Sequence, residues 1–272
     1  MVLGHNSRME LADRVVLITG ASMGIGEALA HAYAAEGARV VLAARSEERL
    51  RAIAAALPAG RALAVRTDLT DRRQLPDLVD RALQRFGCID VLVNNAGVGL
   101  FSTLGEMEPE HFQRLFALNV FAPVYLIQAV LPQMKYRRQG QIVNIASVVG
   151  QVALPGMSAY SASKFALRAF TDALRVELKP FGIQVLCVYP GRVQTPFKKN
   201  AYWGAAAGQF RSQSGGISAE QCARAIVKAA QKEKREIVVP PALHAFIGLY
   251  RWFPGLIDRV LARLTRETPP PA

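Results

Sequence analysis

Cysteine is sparse in this chain of 272 residues: Cys88, Cys187 and Cys222 stand far apart, with no metal-ligand spacing between them. Such an odd, scattered set builds neither a disulfide framework nor a zinc site, so no metal is expected and a reducing compartment fits. No unbroken apolar run reaches the roughly 18 residues that a membrane-spanning helix needs. The opening MVLGHNSRMELADR is polar and lacks the apolar core of a secretory signal, and the expected location is cytoplasmic. Acidic residues are few beside basic ones, 21 against 33, for a formal charge of +12. The excess is uneven, because from Lys198 onward 12 basic and 5 acidic residues leave +7. No dense basic block or nucleic-acid-binding motif goes with it; Lys135, Arg137 and Arg138 make only a small cluster. A solvated face is therefore expected rather than a nucleic-acid partner.

What is present is a folded α/β chain. Hydrophobic residues reach 51% and charged residues only 20%, which argues against disorder, and the length suits one sizeable domain. Short β-branched runs begin at Arg14, Arg39, Arg61, Ile89, Gln141, Ile183 and Glu236, and between them lie helical stretches, the longest from about Pro109 to Met134 and from Ala159 to Leu178. Pro155 and Gly156 break the chain before the second of these, and Ser158 is expected to cap it. The alternation predicts a doubly wound parallel sheet with helices on both faces and ligands at the strands' carboxyl ends. One domain is expected over residues 1–240, followed by an apolar and basic helical extension over 241–272.

Several stretches at those ends carry chemistry. Gly20, Gly24 and Gly26 follow the first strand and open a helix, the arrangement that lets backbone amides approach a pyrophosphate, although the spacing is GxxxGxG and not GxGxxG. Arg45 ends the second strand where an enzyme preferring NAD would hold its ribose with an acid, and an arginine there suits a 2′-phosphate. Arg49 or Arg39 could supply that charge instead. Asp68 could accept from an adenine amino group, or Asp71 and Thr70 could simply cap a helix, and capping explains Asp71 better than Asp68. Asn94 to Gly97 (NNAG) could brace the sheet's edge or form an Asx turn. Asn119 is polar amid Leu115, Phe116, Val120 and Phe121, so it needs partners, and a bend or a bound water is one way to provide them. Ser147 ends a strand. Tyr160 and Lys164 lie one turn apart on a helix, where an ammonium would favour phenolate and bring the tyrosine toward working pH.

Together, TGASMGIG at Thr19 to Gly26, NNAG, Asn119, Ser147, YSASK at Tyr160 to Lys164 and PGRVQT at Pro190 to Thr195 closely resemble the short-chain dehydrogenase/reductase family, over residues 12 to about 240. The resemblance implies a Rossmann fold and an oxidoreductase moving a hydride between NADP(H) and a carbonyl or secondary alcohol. Tyr160 would be the acid or base, Lys164 would lower its pKa and hold the nicotinamide ribose, Ser147 would bond the substrate oxygen, and Asn119 would position a relay water. Gly20, Gly24 and Gly26 would underlie the pyrophosphate, Asp68 would meet adenine, Asn94 would sit by the adenosine ribose, and Thr195 would reach the carboxamide with Gly191 and Val193 nearby. Ser22, Met23, Ile25, Leu69, Ala96, Gly97 and Pro190 complete the cofactor set so implied. Met23 departs from the pattern, since many NADP-dependent members are basic there; this leaves the phosphate to Arg45, with Ser22 and Arg49, and keeps NAD(H) as the second cofactor. A homodimer or homotetramer is expected. The alternative is a non-catalytic NADP(H)-binding sensor or scaffold.

Phe101, Leu104, Phe197, Tyr202, Trp203 and Phe210 point to an apolar substrate, held by Gly99 to Gly105 and the 197–216 segment. The tail from Leu243 to Leu264 carries too many large apolar residues for a free end. Packing on the body or a second subunit is the favoured reading, with an apolar lid or a peripheral membrane contact as the others.

Overall fold

The computed structural model describes residues 9–204 and 215–264. Seven strands make one sheet, each pair parallel: β1 (Val15–Thr19), β2 (Arg39–Ala44), β3 (Ala62–Arg66), β4 (Val91–Asn94), β5 (Gly140–Ile145), β6 (Ile183–Pro190) and β7 (Glu236–Val239). Across the sheet they run β7-β6-β5-β4-β1-β2-β3, so the order reverses between β1 and β4. In β1 and β2 successive residues feed opposite cores. Val16, Ile18, Val40 and Leu42 pack under α1 (Gly24–Ala35), α2 (Glu47–Ala55) and α7 (Ala219–Gln231). Val15, Leu17, Val41 and Ala43 belong to the opposite core, with α3 (Gln74–Phe86), α5 (Ala122–Arg137) and the end of α6 (Ser158–Leu178). Burial on both faces is why these strands read as continuous apolar runs and not as alternating ones.

At the sheet's amino end the buried Asp90 carboxylate accepts from the Val15 amide (2.9 Å), from Arg137 (2.6 Å) and from Arg14 (3.3 Å). This ties the starts of β1 and β4 to the end of α5, far along the strands from the motifs.

The 109–137 stretch is not one α-helix. Between α4 (Pro109–Phe116) and α5 lies a π-helical turn, Ala117–Phe121. By length and composition alone Pro109–Arg137 is apolar enough to cross a membrane, although no unbroken apolar run within it reaches a membrane's span. Here Leu126, Ile127, Val130 and Met134 are spent on the sheet's core.

Two capping expectations are corrected. Ser158 is the first helical residue of α6, and Met157 precedes it without a side-chain cap. Asp71 accepts from the Arg73 amide (3.1 Å), one residue short of α3, while Asp68 closes a turn on Thr70. After β7 the chain forms α8 (Leu243–Trp252) and α9 (Pro254–Leu264), with the break at Pro254 that proline imposes.

Candidate active site

Between β1 and β4 the strand order reverses, leaving a crevice at the carboxyl ends where α/β sheets take ligands. Gly20 and Gly24 adopt φ of +63° and +59°, which only glycine does without strain. The loop is also too tight for side chains. A methyl on Gly20 would lie 2.8 Å from the Ala96 Cα, and one on Gly26 would strike the Gly20 carbonyl oxygen and sit 2.6 Å from the Asn95 amide nitrogen. Helix α1 begins at Gly24 behind an extended Met23 that offers no side-chain cap, so its first amides face the crevice as an anion site would require. Across it, the Thr195 side chain lies 3.1 Å from where a Gly24 methyl would be, so the loops after β1 and β6 close on one another. The cradle fits a dinucleotide: bare backbone, a helix N-terminus and Thr195 opposite.

NNAG does its work mainly inside the protein. The Asn94 side chain donates to Asn144 (2.8 Å), which donates to Thr171 on α6 (2.9 Å), so Asn94 faces the sheet interior and only its backbone lies at the strand end. Asn95 reaches back to the Thr19 carbonyl (2.9 Å), and the Thr19 hydroxyl accepts from the Asn95 and Ala96 amides. Asn95 and Thr19 lie inside the NNAG and TGASMGIG motifs and brace the sheet's edge, whereas Asn144 and Thr171 escape motif reading because each acts through a contact distant in sequence. Leu69 is buried, Asp68 is half-buried, and Arg45 and Arg49 are exposed at the β2 end.

The catalytic candidates converge. Tyr160 is 7% exposed, and Ser147 lies close enough to its phenol to lower the pKa a little. The Ser147 hydroxyl also lies 3.3 Å from the Pro190 carbonyl and accepts from the Val149 amide, which orients it. Lys164 is 4% exposed; its ammonium donates to the Ile145 carbonyl (2.9 Å) and lies 5.9 Å from the Tyr160 ring centre. Asn119 is fully buried with partners all round: it accepts from the Val98 amide (2.9 Å) and donates to the Val98 carbonyl (3.0 Å) and to Ser163 (3.1 Å). The π-helical turn is the bend that turns Asn119 toward them. Ser163, which donates on to the Tyr160 carbonyl (2.7 Å), could have been noticed one turn beyond Tyr160 within YSASK.

The electrostatics correct one expectation. Burial, against a smaller opposing effect of nearby Ser147, pushes the Tyr160 phenol up to about 12. Burial likewise drags the Lys164 ammonium down to about 8. Burial sets the direction for both groups, and the Lys164 ammonium bonds the Ile145 carbonyl and not the tyrosine oxygen.

Beside Tyr160 the wall is aromatic. Phe197 lies 5.8 Å away centre to centre, Phe101 stacks on Trp203 at 4.4 Å, and His111 on Tyr202 at 4.1 Å. A cavity of about 380 Å³ opens on the outer side of this wall, between Leu100, Glu106, His111 and Trp203, and it does not reach Tyr160. Leu104 is exposed, and Phe210 lies outside the described residues.

A parallel sheet with a glycine cradle at its switch point, and a buried Tyr160-Lys164 pair with Ser147 beside it, defines a dinucleotide-dependent oxidoreductase. The sequence model for short chain dehydrogenases matches residues 14–204. Dehydrogenase/reductase SDR family member 7B of Bos taurus is 36% identical over 272 residues, covering 96% of this chain and 84% of that protein. A short chain dehydrogenase/reductase from Burkholderia phymatum, solved in complex with NAD, superposes with a TM-score of 0.83 at 28% identity, over 97% of this chain and 99% of that one. One from Burkholderia cenocepacia, in complex with NADP, gives 0.79 at 26%, over 93% and 99%. The chain belongs to the short-chain dehydrogenase/reductase family.

Proposed function

We propose that the protein is an NADP(H)-dependent carbonyl reductase or alcohol dehydrogenase acting on an apolar substrate. The observation that carries this is the buried Tyr160 phenol with Ser147 beside it and the buried Lys164 one helical turn on. A phenol held at about 12 keeps its proton at neutral pH, so Tyr160 serves as the acid that protonates a carbonyl oxygen and, in reverse, as the base that takes the alcohol proton. The Ser147 hydroxyl donates to the same oxygen. Asn119 fixes the Val98 backbone and, through Ser163, the turn of α6 that bears Tyr160. Gly20 to Gly26, Gly191, Val193 and Thr195 would hold the dinucleotide, with Arg45 at its 2′-phosphate. When bound, NADP(H) supplies the hydride in reduction and accepts it in oxidation.

Phe101, Phe197, Tyr202 and Trp203 support an apolar substrate. Met23 at the cradle, in place of a basic residue, supports NAD(H) as the second reading. Exposed Phe112, Phe121, Phe165, Phe170 and Val176 on α4, the π-helical turn and α6 support a homo-oligomer. Three free thiols suit a reducing, cytoplasmic setting. We take residues 1–240 as the catalytic unit and 241–272 as an extension of it.

The test is NADPH oxidation against a panel of apolar ketones and aldehydes. Tyr160→Phe keeps the ring and removes the proton, so turnover should fall at least about 100-fold while NADPH affinity holds. Normal turnover in that variant ends the acid–base assignment.

A further inference from the structure

We propose that the outer face of α8 and α9 docks on an anionic lipid surface. The two helices divide their apolar residues between two sides. Leu243, Phe246, Ile247 and Tyr250 pack against the body with Ala146, Val148, Val152 and Val238, and Arg251 donates to Gln151 (3.0 Å), so α8 is fixed to the protein. Ile257 is likewise buried. Leu249, Trp252, Phe253, Leu256 and Val260 are not, with Trp252 82% exposed and Phe253 59%. Of the twelve exposed large apolar residues among those described, five fall in this one short span. Leu249 and Trp252 stand three apart on α8, Phe253 lies at the break, and Leu256 and Val260 stand four apart on α9, so each helix presents an exposed apolar stripe of its own.

A lid over the active site would use these stripes inward, yet the opposite side of α8 already holds the body. Charge decides between the remaining occupants. Leu243–Leu264 contains Arg251, Arg259 and Arg263 and a single acid, Asp258, in a chain of net charge +12. A two-fold contact between copies would set these arginines near their own images. An anionic surface attracts them, and exposed tryptophan and phenylalanine beside arginine is the composition of a helix lying in a lipid interface. Leu243 also abuts Gly191, and Ile247 shares a cluster with Val148, the residue after Ser147. Lipid on the α8 stripe would thus lie one helix away from the catalytic cluster.

Docking does not depend on the hydride chemistry and is tested apart from it, by sedimenting the full-length protein with phosphatidylcholine vesicles with and without phosphatidylglycerol. The parent should pellet with the anionic vesicles and be released by high salt. W252E/L256E should stay in the supernatant, and R259Q/R263Q should bind about 30-fold more weakly, both with thermal melts matching the parent's. A parent that stays soluble with anionic vesicles, or a W252E/L256E protein that pellets as well as the parent, overturns the proposal. So does a dimer in light scattering that W252E/L256E abolishes while neither protein binds vesicles, which would assign the stripes to a second copy.

Discussion

Replacing Lys164 with methionine should make the protein more stable at neutral pH while destroying its turnover. Lys164 is 4% exposed and has one carbonyl partner, the Ile145 oxygen at 2.9 Å. Burial lowers its pKa from 10.5 to about 8. Below about pH 8 the lysine is charged in both folded and unfolded chains, and the folded state bears the whole cost of a buried ammonium, about 3 kcal/mol at roughly 1.4 kcal/mol per pH unit. Between about 8 and 10.5 the unfolded chain binds more protons than the folded one, so stability rises with pH; above 10.5 the lysine is neutral in both and the cost is gone. Methionine matches the length without the charge but forfeits the bond to Ile145, worth about 1 kcal/mol. The variant should therefore gain about 2 kcal/mol at pH 7, and the gain should shrink and change sign as pH approaches 10.5. Urea unfolding of both proteins at pH 7 and near pH 9.5, with equal m-values, measures the difference, and titrations common to both drop out. A variant less stable than the parent at pH 7, or a difference that does not move with pH, would refute the reasoning. A catalytic group that costs stability is the ordinary trade at an active site.

Asp90→Asn should cost about 3 kcal/mol at pH 7, because it leaves Arg14 and Arg137 facing a neutral amide. Burial works against that carboxylate, yet the Val15 amide and Arg137 hold it below its ordinary 3.8, so the contribution is present above that pH and is lost on acidification. Calorimetry showing a loss under about 1 kcal/mol would remove Asp90 from that role. Gly26→Ala should abolish dinucleotide binding by titration calorimetry, since the methyl meets the Gly20 carbonyl and Asn95; affinity within about threefold of the parent would show that the cradle can give. Arg45→Ala should weaken NADPH by about 10- to 100-fold and leave NADH unmoved. Equal losses for both would mean that Arg45 does not discriminate.

The strand and helix positions were legible in the sequence to within one to three residues, because a sheet buried on both faces leaves unbroken apolar runs and its turns require glycine. Tyr160, Lys164 and Ser147 were legible for a similar reason: their spacing is local, one helical turn or one strand end. The partners that fix them were not. Ile145 and Val98 contribute only backbone groups, and Asn94 was expected at the cofactor but turns inward to Asn144. The tail shows the same division. Its apolar count called for a partner, but which residues face the body and which face solvent depended on how α8 seats on Val148 and Gly191 before the chain breaks at Pro254. The tyrosine's pKa is the clearest case. From sequence the ammonium at Lys164 should lower it, and only the packed structure reveals that burial raises it instead. Adjacency along a helix fixes which charges are near one another, whereas the solvent excluded around them is set by every element that packs there.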